Sequence, residues 1–349
     1  MIITRTPFRV TLGGGGTDLP SYYEKHGGFV FAMGIDKYMY VMINPPVIDS
    51  MIRLHYTQSE VVDHVSALKH DLAREALRLY GIENKMEISS IADLPAGTGV
   101  GSSSCYLVGL LTALTHYRRE YVSLQTCAEQ ACNIELNVLG RGIGKQDQYM
   151  AVYGGLTALE IGMDGNVKVR SVEVGTSSIA ALVSNTHIYY TGVRRNAPEV
   201  LAHQNVVMRS HQNPNHQHVA ESLHRIKELG YRILDAIERE DFDTWGRLLD
   251  EHWQQKKRMS AGISLPIVDR LYDEVRGRYG VLGGKISGAG GGGFLMLYCP
   301  RNHKQLERFM LSQGMRRLHY TAELEGSKVV ANIGSSSAAT FHPRQTTGT

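Results

Sequence analysis

The sequence lacks most of the features that mark secreted, membrane-spanning or metal-binding proteins. Only four of its 349 residues are cysteines, and no two of them form a CxxC pair. Isolated cysteines in apolar surroundings are typical of reduced intracellular thiols and not of a disulfide framework. No apolar run approaches the roughly 18 residues that a membrane span requires, and MIITRTPFRV lacks a basic region followed by an apolar one. We therefore expect a cytoplasmic protein.

The sequence also lacks a large excess of charge of either sign. The 37 basic and 34 acidic residues give a formal net charge of +3, and they are spread along the chain without a long single-sign block. This pattern excludes an extended footprint for nucleic acid or a membrane surface. Any phosphate binding must therefore be local.

Five histidines lie in a polar stretch around QNPNHQH, namely His203, His211, His216, His218 and His224. A zinc site requires convergent ligands, and neither HExxH nor a cysteine partner accompanies these histidines. We expect a mobile polar loop here.

The first half of the sequence predicts a β-rich unit that also contains helices. Residues 28–44 (GFVFAMGIDKYMYVMIN) and 86–91 are rich in β-branched and aromatic residues, as strands are. Apolar residues recur at helical spacing over residues 102–116 and 123–138. The Asp-Gly pair at 164–165 lies between two strand-like segments and predicts a hairpin.

The second half predicts a mixed unit. HIYYTG is typical of a strand, and the apolar stripes over residues 223–253 predict two helices. A strand, a glycine loop and a second strand follow over residues 280–299, and KVVANI predicts a further strand at 328–333. Strands and helices mix without the strict alternation of a doubly wound parallel sheet, so the predicted fold class is α+β.

Hydrophobic residues make up 42% of the chain, enough for a sizeable core in one or two domains. The low-complexity stretch at 175–178 predicts a domain boundary. The predicted domains are therefore residues 1–178 and 179–342, followed by a tail at 343–349 that we expect to be disordered.

Glycine, in contrast, is abundant. Many of the 37 glycines concentrate in three segments: 13–16 in PFRVTLGGGGTDLP, 97–101 in LPAGTGVGSSS and 288–293 in KISGAGGGGF. Glycine permits positive φ and lets a bulky anion approach backbone N–H groups. A glycine loop that opens a helix therefore makes an anion site, which the helix dipole reinforces.

The middle segment fits that description best, because it leads directly into the helix predicted from Ser102. Its backbone could wrap nucleotide phosphates while a serine hydroxyl reaches Mg²⁺. The alternative is a glycine turn followed by a serine N-cap. The segment is not a P-loop, it does not complete a dinucleotide-binding GxGxxG, and the chain contains neither HRD nor DFG.

Taken in order, the three segments resemble the motifs of the GHMP kinases, the superfamily of galactokinase, homoserine kinase, mevalonate kinase and phosphomevalonate kinase. The resemblance spans nearly the whole chain. TPFR, GGGGTD and GKQDQY are most similar to the bacterial D-glycero-D-manno-heptose 7-phosphate kinases, and next to the fucokinases. The family implies an N-terminal domain like domain 2 of ribosomal protein S5 and a ferredoxin-like C-terminal domain, with the active site between them.

The resemblance also implies catalytic roles. Glu135 and Asp147 lie twelve positions apart, as do the metal-binding glutamate and the catalytic aspartate of galactokinase-like members. Glu135 and Ser103 would hold Mg²⁺, and Asp147 would accept or orient the proton of the attacking hydroxyl. Arg9 would stabilise the nucleophile or the transferring phosphoryl group. The alternative for Asp147 is an ordinary helix or turn carboxylate. ATP would lie along Gly97, Gly99, Val100, Gly101, Ser102, Ser103 and Ser104.

Substrate binding is implied for Asp18, because a carboxylate can accept hydrogen bonds from two sugar hydroxyls. Asp18 could instead cap the helix that DLPSYYEK begins. The resemblance assigns substrate contacts to three glycines as well, namely Gly15, Gly290 and Gly291.

Basic residues indicate a phosphorylated substrate. Arg141 and Lys145 precede Asp147, where the galactokinase-like pattern has no basic residue, and a phosphate on the substrate would explain them. Arg194 and Arg195 are further candidates for that phosphate, and any of these four could instead be a solvated surface charge. Lys285 could assist either phosphate or simply end a strand.

The sequence therefore predicts a kinase that uses ATP and Mg²⁺ to phosphorylate the anomeric hydroxyl of D-glycero-D-manno-heptose 7-phosphate. The 1,7-bisphosphate product would serve GDP-heptose and surface polysaccharide synthesis. ATP and the sugar phosphate are the expected partners, without nucleic acid or membrane, and the oligomeric state, with a homodimer as one option, stays open. The alternatives are a fucokinase- or galactokinase-like kinase of a neutral sugar, and a non-catalytic sensor of sugar and nucleotide.

Overall fold

The computed structural model describes residues 1–193, 197–210, 212–260 and 262–333, without the side chains of residues 197–200 and 203. The strands are β1 Ile2–Gly13, β2 Gly28–Asn44, β3 Ile52–His55, β4 Ser59–Val62, β5 Met86–Ala92, β6 Leu156–Ile161, β7 Val167–Ser171, β8 Thr186–Tyr190, β9 Gly283–Ile286, β10 Phe294–Tyr298, β11 Arg316–Leu318 and β12 Lys328–Asn332. The helices are α1 Pro20–His26, α2 Asp71–Leu79, α3 Ser102–Arg118, α4 Leu124–Cys132, α5 Gln146–Tyr153, α6 Thr176–Asn185, α7 Ala197–Arg209, α8 His216–Glu238, α9 Phe242–Met259, α10 Pro266–Tyr279 and α11 His303–Ser312. A 3₁₀ turn, Val65–Ala67, precedes α2, and a π-helical turn, Asn133–Val138, continues α4.

The first sheet has the strand order β12-β1-β2-β5-β3-β4, with β6 and β7 attached beside β2. The long strand β2 pairs with β1 along most of its length, while its first half pairs with β6 and its second half with β5. These pairs are antiparallel, and β3 runs parallel to β5. The sheet confirms the strand predictions for residues 28–44 and 86–91 and the hairpin at 164–165.

Helices cover both faces of β1. Helix α3 packs on one part of the strand and α8 also contacts it, so the strand is almost completely buried from Phe8 to Gly13. The apolar residues that predicted α3, Leu107, Leu110, Leu111 and Leu114, are fully buried. Because β1 carries Arg9 and leads into the first glycine segment, this packing fixes the start of the site.

The second sheet is antiparallel, with the order β11-β8-β10-β9. With helices between β8 and β9 and between β10 and β11, this is the order of a ferredoxin-like unit. Some of its strand residues, such as Ile188 and Phe294, join the core of the first sheet, and others belong to a second cluster that includes the fully buried Trp253 and Tyr272. The architecture confirms the α+β fold class.

Two local predictions were wrong. The polar histidine stretch is a turn only over residues 212–215, because α8 begins at His216 and also contains His218 and His224, while His203 lies in α7. His211 lies outside the described residues. Asp18 does not cap α1, whose N-cap position is Leu19 without a side-chain capping bond.

The chain passes from the first sheet to the second through α6, which occupies the segment predicted as a low-complexity boundary. It returns to the first sheet when β12 pairs with β1. The domain limits at 178 and 342 stay predictions, and the tail at 343–349 lies outside the described residues. Within the described residues, no helix has the length and apolarity needed to cross a membrane.

Candidate active site

Residues of all three glycine segments border one cavity of about 810 Å³. The second and third segments touch through their backbones, since a Cβ on Gly99 would lie 2.6 Å from the carbonyl oxygen of Ser287 and one on Gly288 would lie 2.7 Å from that of Gly99. Both glycines also have positive φ, +80° and +70°, which side chains rarely adopt. Glycine is therefore required where the two segments cross.

Helix α3 begins at the edge of this cavity. Its N-cap is Gly101, with φ of 84° and no side-chain capping bond, so the alternative of a serine N-cap is wrong. Free backbone N–H groups at a helix N-terminus attract anions. Most of the predicted ATP-binding residues line the cavity: Gly97, Gly99, Gly101, Ser102, Ser103 and Ser104. Val100 instead is buried in the core.

The π-helical turn after α4 places Glu135 beneath the start of α3. Glu135 is fully buried, and its carboxylate accepts hydrogen bonds from Ser103 Oγ at 3.0 Å, Ser104 Oγ at 2.6 Å and Gln148 Nε2 at 2.6 Å. Burial raises the pKa of Glu135, while these bonds and the charge of Arg141 partly offset the rise. π-Helical turns occur often at functional sites, and this one turns a carboxylate inward.

Arg141 is held by these same oxygens. Its guanidinium donates to Ser103 Oγ at 2.7 Å and to Glu135 Oε1 at 3.0 Å, and it forms a bidentate pair with Asp71 at 2.9 and 3.0 Å.

The carboxylate of Glu135 and the hydroxyl of Ser103 fit the oxygen donors that Mg²⁺ takes. In the described residues, no group of three or more His, Cys, Asp or Glu side chains could hold a metal ion, so this donor set would need phosphate oxygens to complete it.

Arg9 and Asp147 form the second charged pair. Arg9 Nε donates to Asp147 Oδ1 at 2.7 Å, Arg9 Nη2 lies 2.5 Å from the same oxygen, and Arg9 Nη1 donates to the carbonyl of Gly99 at 2.6 Å. Arg9 is only 3% exposed, whereas the Asp147 side chain is 25% exposed. The arginine is therefore fixed by Asp147 of α5 and by the second glycine segment, and the carboxylate faces the cavity.

Asp18 lies in the same cavity and is buried. Its Oδ1 accepts from the backbone N–H of Gly16 at 3.0 Å and its Oδ2 from that of Gln146 at 3.2 Å. Burial raises the pKa of Asp18, and the two backbone N–H groups limit this rise. The first glycine segment and the start of α5 thus hold one carboxylate between them.

Other predicted substrate residues do not line this cavity, namely Gly15, Lys145, Gly290 and Gly291. Lys145 Nζ donates to the carbonyl of Gly165 at 2.7 Å and pairs with Glu129 at 3.3 Å, beside a second cavity of about 800 Å³. Arg194 and Arg195 lie outside the described residues. The assignment of Arg141, Lys145, Arg194 and Arg195 to a substrate phosphate stays a prediction. The substrate contacts assigned to the three glycines also stay predictions.

The structure adds cavity residues that the sequence did not indicate. Tyr56, His70 and Asp71 line one end, and Lys256 of α9 lines the cavity beside the third glycine segment. Lys256 follows Trp253 at helical spacing, so it lies on the buried face of α9. That spacing is the signal that could have indicated it.

Two family models match the chain. GHMP kinases N terminal domain matches residues 64–155, and GHMP kinases C terminal matches residues 233–315. The chain belongs to the GHMP kinases. It is an ATP-dependent phosphotransferase, and the family members that match more than four fifths of its length include sugar kinases.

Individual relatives support this family. The D-glycero-alpha-D-manno-heptose 7-phosphate kinase of Campylobacter jejuni is 28% identical over 87% of this chain and 91% of its own length. The L-fucokinase/L-fucose-1-P guanylyltransferase of Bacteroides fragilis is 26% identical over 84% of this chain and 34% of its own length. The crystal structure of a D-glycero-D-manno-heptose 1-phosphate kinase from Bacteroides thetaiotaomicron shares the fold, with a TM-score of 0.77, 23% identity and coverage of 96% and 100%.

The contact between Gly99 and Ser287 leads to a first prediction. Gly99→Ala should lower the free energy of unfolding by about 1–3 kcal/mol, because the new methyl group collides with backbone and the φ is unfavourable. It should also weaken ADP binding, since the second segment must shift. Chemical denaturation and calorimetry measure the two effects. The control is Gly277→Ala in α10, where a Cβ meets nothing within 4 Å, and retained wild-type stability and ADP affinity in Gly99→Ala would contradict the prediction.

Proposed function

We propose that the chain transfers the γ-phosphoryl group of ATP to the anomeric hydroxyl of D-glycero-D-manno-heptose 7-phosphate. The product would be the 1,7-bisphosphate, a precursor for GDP-heptose and surface polysaccharide. The observation that supports the chemistry is the single cavity where the Arg9–Asp147 and Glu135–Ser103 groups meet three glycine segments. The similarity to the Campylobacter jejuni enzyme over 87% of the chain supports the substrate.

Asp147 is the group that would accept or orient the proton of the attacking hydroxyl. Arg9 binds Oδ1 through two nitrogens, so the carboxylate is held in one orientation and its second oxygen remains for the substrate. The fixed guanidinium also places positive charge where negative charge grows during transfer. A general base in such a position typically contributes about 10²- to 10⁴-fold to the rate.

The nucleotide phosphates would bind at the N-terminus of α3, where free N–H groups of the second glycine segment face the cavity. Glu135 and Ser103 would hold Mg²⁺, which supplies neutralisation of the β- and γ-phosphate oxygens. Arg141 would then give up its contact with these two oxygens and keep its bidentate pair with Asp71.

The nucleoside would extend toward the end of the cavity lined by Tyr56, His70 and Leu94. The rings of Tyr56 and His70 meet edge to face, 4.7 Å apart, and burial lowers the pKa of His70. A neutral, aromatic wall suits a purine base. The sugar would occupy the opposite end, where Asp18 accepts hydrogen bonds.

The assay that tests the proposal is ADP release with ATP and Mg²⁺ against heptose 7-phosphate, unphosphorylated heptose, mannose, fucose and galactose. Turnover confined to heptose 7-phosphate is expected, and the anomeric position is read from the product by NMR. Turnover only on a neutral sugar would keep the family assignment but refute heptose 7-phosphate as the substrate. That result would be consistent with the similarity to the fucokinase. Absence of turnover with intact ligand binding would favour a sensor.

A second prediction concerns Asp147. Asp147→Asn should lower kcat by about 10²- to 10⁴-fold, because the amide keeps the shape but cannot take the proton. The dissociation constants of ADP and the sugar phosphate should stay within about threefold, as expected for a group that acts mainly in the transition state. Asp235→Asn on the exposed face of α8 is the matched control. An unchanged kcat in Asp147→Asn would exclude the assigned role.

A third prediction follows from the position of Arg141. Arg141→Gln should tighten binding of Mn²⁺ to the ADP complex by about tenfold, because it removes a cation that competes for Glu135 and Ser103. Electron paramagnetic resonance of free Mn²⁺ measures this without turnover. Arg118→Gln, which loses contacts to the carbonyls of Tyr80 and Gly81, is the control. Weaker Mn²⁺ binding in Arg141→Gln would show that the arginine supports the metal site.

A further inference from the structure

Lys256 is a buried cation at the wall of the active-site cavity. Its side chain enters from α9, it is only 5% exposed, and its ammonium group donates to the carbonyl of Gly288 at 2.5 Å. The other charged residues of the cavity, such as Arg9 and Glu135, lie in the first half of the chain, whereas Lys256 lies in the second half. It therefore brings positive charge to the cavity from a part of the chain that is distant in sequence from Arg9 and Arg141.

The other cations of the cavity already have carboxylate partners. Arg9 pairs with Asp147, and Arg141 pairs with Asp71 and Glu135. Among the lysine and arginine side chains that line the cavity in the described residues, Lys256 alone has no carboxylate within ion-pair distance. Its ammonium group is thus available to an anionic ligand.

A second buried lysine, Lys285, interacts electrostatically with Lys256. Lys285 of β9 is 2% exposed, and its ammonium group has no hydrogen bond or ion pair with the described residues. His252 of α9 is fully buried nearby, and neither of its ring nitrogens finds a partner in the described part of the chain. Asp18 is the acidic group whose charge stabilises the protonated form of Lys256.

Buried like charges oppose one another. Burial lowers the pKa of Lys256 to about 8, with Arg9 acting in the same direction and Asp18 against it. Burial also places the pKa of Lys285 well below its ordinary value, with contributions from Lys256 and Arg9. Such uncompensated positive charge is costly in a folded chain and is found at functional sites, where a ligand completes the charge balance.

We propose that Lys256 binds the phosphate group that the acceptor sugar carries before the reaction. This inference rests on the proposed function, because it requires a phosphorylated acceptor. The acceptor phosphate fits better than the ATP phosphates, since the latter already have the N-terminus of α3, Ser103 and Glu135. Lys256 instead interacts electrostatically with Asp18, the residue assigned to the sugar.

The test compares heptose 7-phosphate with unphosphorylated heptose by calorimetry, in the presence of a non-hydrolysable ATP analogue. Lys256→Met should raise the dissociation constant of heptose 7-phosphate by about 10- to 100-fold, the size expected for a hydrogen bond to a charged group. The dissociation constants of the ATP analogue and of neutral heptose should stay within about twofold. Lys257→Met is the matched control, because the adjacent Lys257 pairs with Asp269 at 3.2 Å and does not line the cavity.

Four results would overturn the inference. Equal weakening of the ATP analogue would assign Lys256 to the nucleotide, and equal weakening of neutral heptose would assign it to a sugar hydroxyl. Wild-type turnover of heptose 7-phosphate with an unchanged dissociation constant in Lys256→Met would refute the role of Lys256 and leave the proposed function intact. If the wild-type enzyme phosphorylated only neutral sugars, the proposed substrate itself would be refuted. The failure of this inference and the failure of the proposed function are therefore distinguishable.

Proton uptake is an independent measure. Arg9, Asp18, Lys285 and His252 are the charged or titratable groups that face Lys256. At pH 8 a group with a pKa of about 8 is half protonated, and a bound phosphate dianion restores its proton. Binding of heptose 7-phosphate should therefore take up about half a proton, measured by calorimetry in buffers of different ionisation enthalpy. Lys256→Arg should retain binding and reduce this uptake, and full uptake in that variant would contradict the assignment.

Discussion

The carbonyl oxygen of Gly99 is the point on which the cavity depends. It accepts hydrogen bonds from Arg9 of β1, the strand that leads into the first glycine segment, at 2.6 Å and from Ser287, which precedes the third segment, at 3.2 Å. Residues beside the first and third segments, which are far apart in the chain, therefore meet the second segment at one backbone atom. Because an arginine held in this way has little freedom, Asp147 is also fixed, and the ion pair has its geometry before any ligand binds.

The sequence predicted the parts of this arrangement that are local. Glycine runs before a helix, the twelve-residue spacing of Glu135 and Asp147, and the strand and helix patterns all depend on neighbours in the chain. Their positions in the structure agree with those patterns, and the family models confirm the family. The order of the second sheet followed from the family resemblance and not from the patterns themselves.

The charge pairing could not be predicted in this way, because the partners are distant in the sequence. Arg141 was expected to be available to a substrate, yet Asp71 lies seventy positions away and binds it on two oxygens. For Lys256, the helical spacing after Trp253 indicates the buried face of α9, whereas its contact with the third glycine segment depends on the assembled fold. Burial and pairing are properties of the assembled fold, which a single sequence does not display.

The pairing of β12 with β1 has a mechanical consequence. The ferredoxin-like unit is connected to the first sheet at two places, through α6 before β8 and through the segment between β11 and β12. A unit held by two strands of chain cannot swing freely as one held by a single linker can. The core shared by the two sheets, to which Ile188 and Phe294 of the second sheet belong, adds a further restraint on relative movement, so the third glycine segment and Lys256 are held beside the second glycine segment.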